Sequence, residues 1–239
     1  MKALDYFRIL VPAVTIAMAS HLTGESSWPS ASAETLTNPA HERPRIVAFG
    51  DSLTSGLGVA PEEAYPAQLQ RRLDAAGLSY RVINAGVSGD TTAGGLRRVD
   101  WALNSKPKFA ILELGGNDGL RGLSLKETRA NLERIIERFQ QASVTVILAG
   151  MKLPPNYGSE YTAGFEAMYP TLAKQYGLAL IPFFLDRVAG SSILNQADGI
   201  HPTAEGYRIV TDKVYETLKP VLEQNRARKD KKGKQKGTE

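Results

Sequence analysis

The chain has 239 residues, 42% hydrophobic and 23% charged, the balance of one soluble globular domain with tails and not of a fibrous or disordered polymer. It contains no cysteine, which excludes disulfides, a cysteine nucleophile, thiolate metal centres and lipid attachment through an N-terminal Cys. The net charge of +4 belongs to the C-terminus: residues 226–239 hold seven Lys or Arg against two acids, so the remaining 225 residues sum to −1 and present no basic face for nucleic acid.

In chain order, the first element is a leader. Lys2 and Arg8 precede a mostly apolar run from Ile9 to Ala19, and Ala17-Met18-Ala19 and Ala31-Ser32-Ala33 are small-x-small cleavage candidates. The run is too short to span a bilayer, which takes about 20 apolar residues. Residues 1–33 therefore read as an export signal, and the Ser-, Thr- and Pro-rich residues 34–44 as a linker. A domain is expected over 45–224.

Within it, apolar runs that stop at glycine alternate with amphipathic stretches. Arg45 to Phe49 is a first strand, closed by Gly50. Ala64 to Ala76 follows with helical spacing through Leu69 and Leu73. Arg81 to Ala85 and Lys108 to Leu114 are the second and third strands. Ser124 to Ala142 is the plainest helix: Ser124 and Glu127 form a capping box, and Leu132, Ile135, Ile136 and Phe139 share one stripe. Val144 to Ala149 is a fourth strand and Leu178 to Phe184 a fifth. A last helix from about Thr203 lines up Val210, Val214, Leu218 and Val221. Residues 225–239 are Lys-rich, with no aliphatic beyond Ala227, and are expected to be disordered. Attraction of this tail to anionic lipid is one reading, and a solvated tail is the one composition favours.

Five short strands separated by helices call for parallel βαβ units, and strands this apolar fit a sheet covered on both faces. The expected fold is a three-layer α/β/α sandwich on a five-stranded parallel sheet. Such sheets bind ligands beyond the carboxyl ends of their strands.

Four polar segments fall there or in late loops: Gly50-Asp51-Ser52-Leu53, Ser88-Gly89-Asp90, Gly115-Gly116-Asn117-Asp118 and Asp198-Gly199-Ile200-His201-Pro202. His21 lies in or beside the leader and His41 in the linker, which leaves His201 as the one imidazole of the body and its candidate general base. Asp198, three residues earlier, is placed to fix its tautomer. Ser52 offers a hydroxyl at a strand end, and a serine must be deprotonated as it attacks. The Ser52 N–H, the Gly89 N–H and the Asn117 amide are candidate donors to a developing oxyanion. Taken singly, each feature has a plain structural reading. Asp51, Asp90 and Asp118 suit loop-holding, Asn117 suits a turn, and Asp198 with His201 suits a cap on the last helix.

Taken together, Ser52, Gly89, Asn117 and His201, each in its own block (GDSL, SGD, GGND, DGIHP), resemble the SGNH (GDSL) hydrolase family from about Ile46 to Leu222. The segments LGGNDGLRG (114–122), LPPNYG (153–158) and PFF (182–184) are similar to the exported bacterial subgroup of arylesterases and multifunctional acyl-CoA thioesterases and lysophospholipases. The resemblance implies a flavodoxin-like fold, no metal or other cofactor, and a Ser52–His201–Asp198 triad acting on aryl ester, acyl-CoA or lysophospholipid substrates. It also implies an acyl pocket walled by Leu153, Pro155 and Tyr157. It implies a periplasmic or secreted enzyme that needs no obligate protein partner. Met151, Leu120 and Phe165 suit the same groove or the core equally.

The sequence has no Gly-x-Ser-x-Gly elbow, no phosphate loop, and no Gly-x-Gly-x-x-Gly after the first strand. The alternatives are carbohydrate O-deacetylation, a non-catalytic flavodoxin-like binding module, and an envelope-associated protein acting through its basic tail.

Overall fold

Five strands pair side by side in a computed structural model that describes residues 43–236, with side chains described as far as Arg228. They are β1 (Arg45–Gly50), β2 (Arg81–Gly86), β3 (Phe109–Glu113), β4 (Thr145–Ala149) and β5 (Ala179–Ile181). The helices are α1 (Ser52–Ser55), α2 (Tyr65–Ala75), α3 (Thr92–Leu103), α4 (Gly116–Leu120), α5 (Leu125–Gln141), α6 (Ser159–Tyr176) and α7 (Ala204–Lys236). The leader expected over 1–33, and all of the 34–44 linker but its last two residues, lie outside the described residues. No helix among the described residues is long and apolar enough to cross a membrane.

All neighbouring strands run parallel, in the order β2-β1-β3-β4-β5. The chain leaves β1 toward β2 on one side and returns to β3 on the other. The carboxyl ends of β1 and β3 therefore flank the switch point, the crevice where doubly wound sheets bind ligands. Helices α2 and α7 pack on each other, and α3, α5 and α6 pack in a row. These two groups form the outer layers of the α/β/α sandwich.

Burial follows position. Ile46 to Phe49 of β1 and all of β3 are buried, as inner strands of a covered sheet must be. Edge strand β2 is mostly half-buried or exposed. The Phe49 and Phe139 rings meet edge-to-face at 5.5 Å, seating α5 on β1. On the other side Tyr65 meets Phe184 at 5.3 Å. The Ser124 hydroxyl accepts the Glu127 N–H and starts α5 where the capping pattern puts it.

Two elements differ from the sequence reading by more than one residue at an end. β5 spans three residues where Leu178 to Phe184 was expected. Pro182 has no N–H for the ladder, so the strand ends before it. Contact with β4 resumes through the Phe184 N–H to the Gly150 carbonyl at 2.8 Å. The last helix continues to Lys236, through residues where the tail was expected to be disordered. Lys, Arg, Gln and Glu are good helix formers, and extending an existing helix needs no new nucleus. The composition argument concerns buried surface, and among the α7 residues whose side chains are described the last buried one is Leu222.

Candidate active site

Ser52 opens the one-turn helix α1. Its predecessor Asp51 caps that turn, with Oδ1 accepting the Leu53 N–H at 3.0 Å. Gly50, the last residue of β1, has to be glycine, because a Cβ there would overlap Thr54 Oγ1 and the Glu113 carboxyl. The sharp exit leaves the Ser52 side chain 7% exposed, at the floor of a cleft.

His201 reaches it from a loop 149 positions later. Its Nε2 lies 2.8 Å from Ser52 Oγ, and its Nδ1 lies 2.7 Å from Asp198 Oδ2. Asp198 Oδ1 accepts two backbone N–H groups, from His201 at 3.0 Å and Ile200 at 2.9 Å. The His201 N–H, the imidazole and the Ile200 N–H together pull the Asp198 carboxyl down to about 2. It is therefore ionised wherever the protein is folded near neutral pH. An ionised Asp198 keeps the imidazole proton on Nδ1 and leaves Nε2 to accept from the Ser52 hydroxyl.

Asn117 sits in the first turn of α4. Gly115, just before that helix, has φ +111°, and a Cβ there would also meet the Tyr169 hydroxyl. The Asn117 amide donates to Asp51 Oδ2 at 2.9 Å. One of its two N–H groups is thereby fixed, and the other remains for a ligand. Gly89, at φ +80°, comes from the loop after β2, and the Arg121 guanidinium grips its carbonyl at 3.0 Å. Ser52, Gly89, Asn117 and His201 all line one cavity.

The aspartates predicted to hold loops do so. Asp118 accepts the Thr92 N–H and hydroxyl at 2.8 and 2.5 Å and the Thr128 hydroxyl at 3.3 Å, tying α4 to α3 and α5. Asp90 pairs with Arg98 at 2.6 Å. The same guanidinium donates to the Gly50 and Ala85 carbonyls at 2.8 and 2.7 Å and lies over the Phe49 ring.

The cavity has a volume of about 700 Å³, within the range of small-ligand sites. Its walls are mainly aliphatic and aromatic, with Leu57, Leu120, Met151, Leu153, Pro154, Pro155, Phe183, Leu185 and Ile200, and Lys152 is a charged residue among them. Leu153 and Pro155 are thus wall residues, with Met151 and Leu120 beside them. Tyr157 is not among the lining residues. Its hydroxyl donates to the Leu120 carbonyl at 3.0 Å. Phe165 is fully buried in the core.

Three residues that matter here escape a reading of the sequence. Arg98 clamps two strand ends and the Gly89 loop. Gln196 donates to the Leu57 and Pro202 carbonyls at 2.8 and 3.0 Å, and so fastens the His201 loop to the exit of α1. Glu113 lies buried beneath Ser52. Of these, only Gln196 carries a sequence signal, its nearness to the DGIHP block.

Comparison with known proteins places this geometry among relatives. Residues 48–209 match the GDSL-like Lipase/Acylhydrolase family. "Esterase TesA" of Pseudomonas aeruginosa is 42% identical over 178 residues, covering 74% of this chain and 89% of that protein. The Escherichia coli K12 protein named "Thioesterase 1/protease 1/lysophospholipase L1" is 35% identical over 188 residues, 78% of this chain and 89% of its own. Among solved structures, the psychrotrophic esterase EstA of Pseudoalteromonas sp., inhibited by monoethylphosphonate, superposes with a TM-score of 0.72. It is 34% identical and covers 75% of this chain and 98% of that one.

Proposed function

This chain belongs to the GDSL-like lipase/acylhydrolase family and is a hydrolase of ester bonds, and we propose that it works as an exported serine esterase and thioesterase through Ser52, His201 and Asp198. The observation that carries the reading is the 2.8 Å approach of His201 Nε2 to Ser52 Oγ, with Asp198 on the other ring nitrogen, at the floor of an apolar cavity.

In this reading His201 Nε2 takes the Ser52 proton as Oγ attacks the carbonyl carbon of an ester or thioester. The carbonyl oxygen gains negative charge and is held by the Ser52 N–H, the Gly89 N–H and the Asn117 amide. The tetrahedral adduct collapses as His201 gives its proton to the leaving alcohol or thiol, leaving the acyl group on Ser52. Water then enters, loses a proton to His201 and attacks the acyl-serine, and the acid departs as Oγ recovers its hydrogen. Asp198 stays ionised throughout and stabilises the imidazolium. No step needs a metal or organic cofactor.

The walls around Leu153 and Pro155 favour an acyl or aryl group over a sugar, whose hydroxyls would lack partners there. That weighs against carbohydrate deacetylation. Export rests on the leader pattern of residues 1–33, and fractionation of cells expressing the full chain checks it, with activity expected outside the cytoplasm.

Replacement of Ser52 by alanine is expected to lower kcat for short p-nitrophenyl esters by several powers of ten with the thermal transition unmoved. Normal hydrolysis by a folded Ser52→Ala protein would sink the assignment. A panel from acetyl to palmitoyl esters, with acyl-CoA and lysophospholipid, ranks the substrates.

A further inference from the structure

Beneath the nucleophile turn lies a carboxyl group that the mechanism above does not use. Glu113 ends β3, and its side chain is fully buried. Its Oε2 accepts the Thr54 hydroxyl at 2.7 Å and the Asp51 N–H at 3.3 Å. Both donors belong to the turn that carries Ser52, one residue before it and two after. Gly50 covers the same carboxyl, and any side chain there would displace it. Three features therefore converge on one point: the glycine that makes room, the turn that reaches down with the Thr54 hydroxyl and the Asp51 N–H, and the glutamate that accepts both.

We propose that Glu113 is a positioning residue for Ser52, holding the Asp51–Thr54 turn so that the Ser52 hydroxyl and N–H stay aimed at His201 and the oxyanion. The inference rests on the assignment of Ser52 as nucleophile.

The carboxyl does this as the neutral acid. The groups facing it are Asp51 on the turn, Tyr65 from α2, Arg98 from α3, Tyr169 from α6 and Tyr207 from α7. Arg98 is engaged by Asp90 and two strand-end carbonyls. Burial, reinforced by the Asp51 carboxylate, pushes the Glu113 carboxyl well above its ordinary range. With Oε2 accepting two hydrogen bonds, the proton belongs on Oε1. That oxygen and the Tyr65 and Tyr207 hydroxyls are buried without hydrogen-bond partners among the described residues. A charge at such a place would be far costlier than a hydroxyl.

The test compares Glu113→Leu, Glu113→Gln and Thr54→Val with Ser52→Ala, on a short p-nitrophenyl ester across pH 5 to 9. Glu113→Leu is expected to lower kcat roughly 10- to 100-fold, with KM within about threefold, the signature of misplaced reacting groups and not of weakened binding. Glu113→Gln, neutral and of the same shape, should restore kcat to within about threefold of wild type and reproduce its pH profile. A folded Glu113→Leu enzyme with wild-type kcat, or a Glu113→Gln enzyme as slow as the leucine variant, would overturn the proposal. Should the leucine variant fail to fold, Thr54→Val removes the same contact from the other side. It is expected to lower kcat several-fold at unchanged KM, and wild-type kcat there would also overturn the proposal. Normal activity of Ser52→Ala would instead remove the nucleophile assignment, whatever Glu113 does.

Discussion

Asp51 shows how much one side chain next to the proposed nucleophile is asked to do. One carboxyl oxygen caps α1 through the Leu53 N–H, and the other orients the Asn117 amide. Burial raises this carboxyl from 3.8 to about 6, against the pull of those two hydrogen bonds. A group that holds its proton more tightly when folded favours the fold most at low pH, and that contribution is lost as pH rises from about 4 through about 6. Asp51→Asn should flatten this decline in urea-denaturation midpoints across pH 4 to 7, and an unchanged slope would refute the assignment. It should also slow the enzyme, because an amide cannot accept from both Leu53 and Asn117 with its NH₂ facing one of them. Truncating Asn117 itself to alanine is expected to lower kcat by about 10² to 10³ with KM little changed. An unchanged rate would exclude the oxyanion role. The convergence of Ser52, Gly89, Asn117, Asp198 and His201 at one cleft was legible in the sequence because polar residues cluster in short blocks at strand ends, and one histidine in the body leaves little choice. Glu113 could not, since a glutamate closing an apolar strand looks like the first solvated residue of a loop. Its burial comes from tertiary packing. That Tyr157 does not line the cavity was not legible for a related reason: sequence gives the composition of a loop but not which side of it faces the cavity.

At the scale of elements, the sheet was legible wherever apolar runs ended in glycine, and α5 wherever a cap met a regular stripe. Helix α6 was not. Its buried residues Phe165, Met168, Tyr169, Leu172 and Ala173 keep helical spacing, but Pro170 and Gly164 interrupt the pattern that would announce it. What holds these elements in register at their functional ends is Arg98, which joins β1, β2 and the Gly89 loop through three hydrogen bonds. Replacing it with methionine keeps the contact with Phe49 but leaves Asp90 without its cation and takes one donor from each of the Gly50 and Ala85 carbonyls. The expected loss is about 3 kcal/mol of unfolding free energy, in the range of broken buried pairs. Activity should fall with it, as the Gly50 and Gly89 segments loosen. A urea midpoint indistinguishable from wild type would show that the clamp is ornamental.

The molecule as a whole separates into a core that ends at Leu222 and a charged extension beyond it. Deleting residues 226–239 removes no buried residue among those whose side chains are described, so stability should change by no more than about 0.5 kcal/mol and turnover of soluble esters should be unchanged. Loss of activity on that deletion would favour the reading in which the basic tail carries the function. The sandwich, its strand order and the position of the cleft at the β1/β3 crevice follow from topology, so the decisive question is local: whether one hydroxyl, one imidazole and one carboxylate act as a unit. A fluorophosphonate probe, followed by intact-mass measurement and peptide mapping, tests it most directly. One adduct per chain is expected, on Ser52, absent from Ser52→Ala and formed orders of magnitude more slowly by His201→Ala. An adduct on another residue, or an unmodified Ser52 in a chain that still hydrolyses esters, would contradict it.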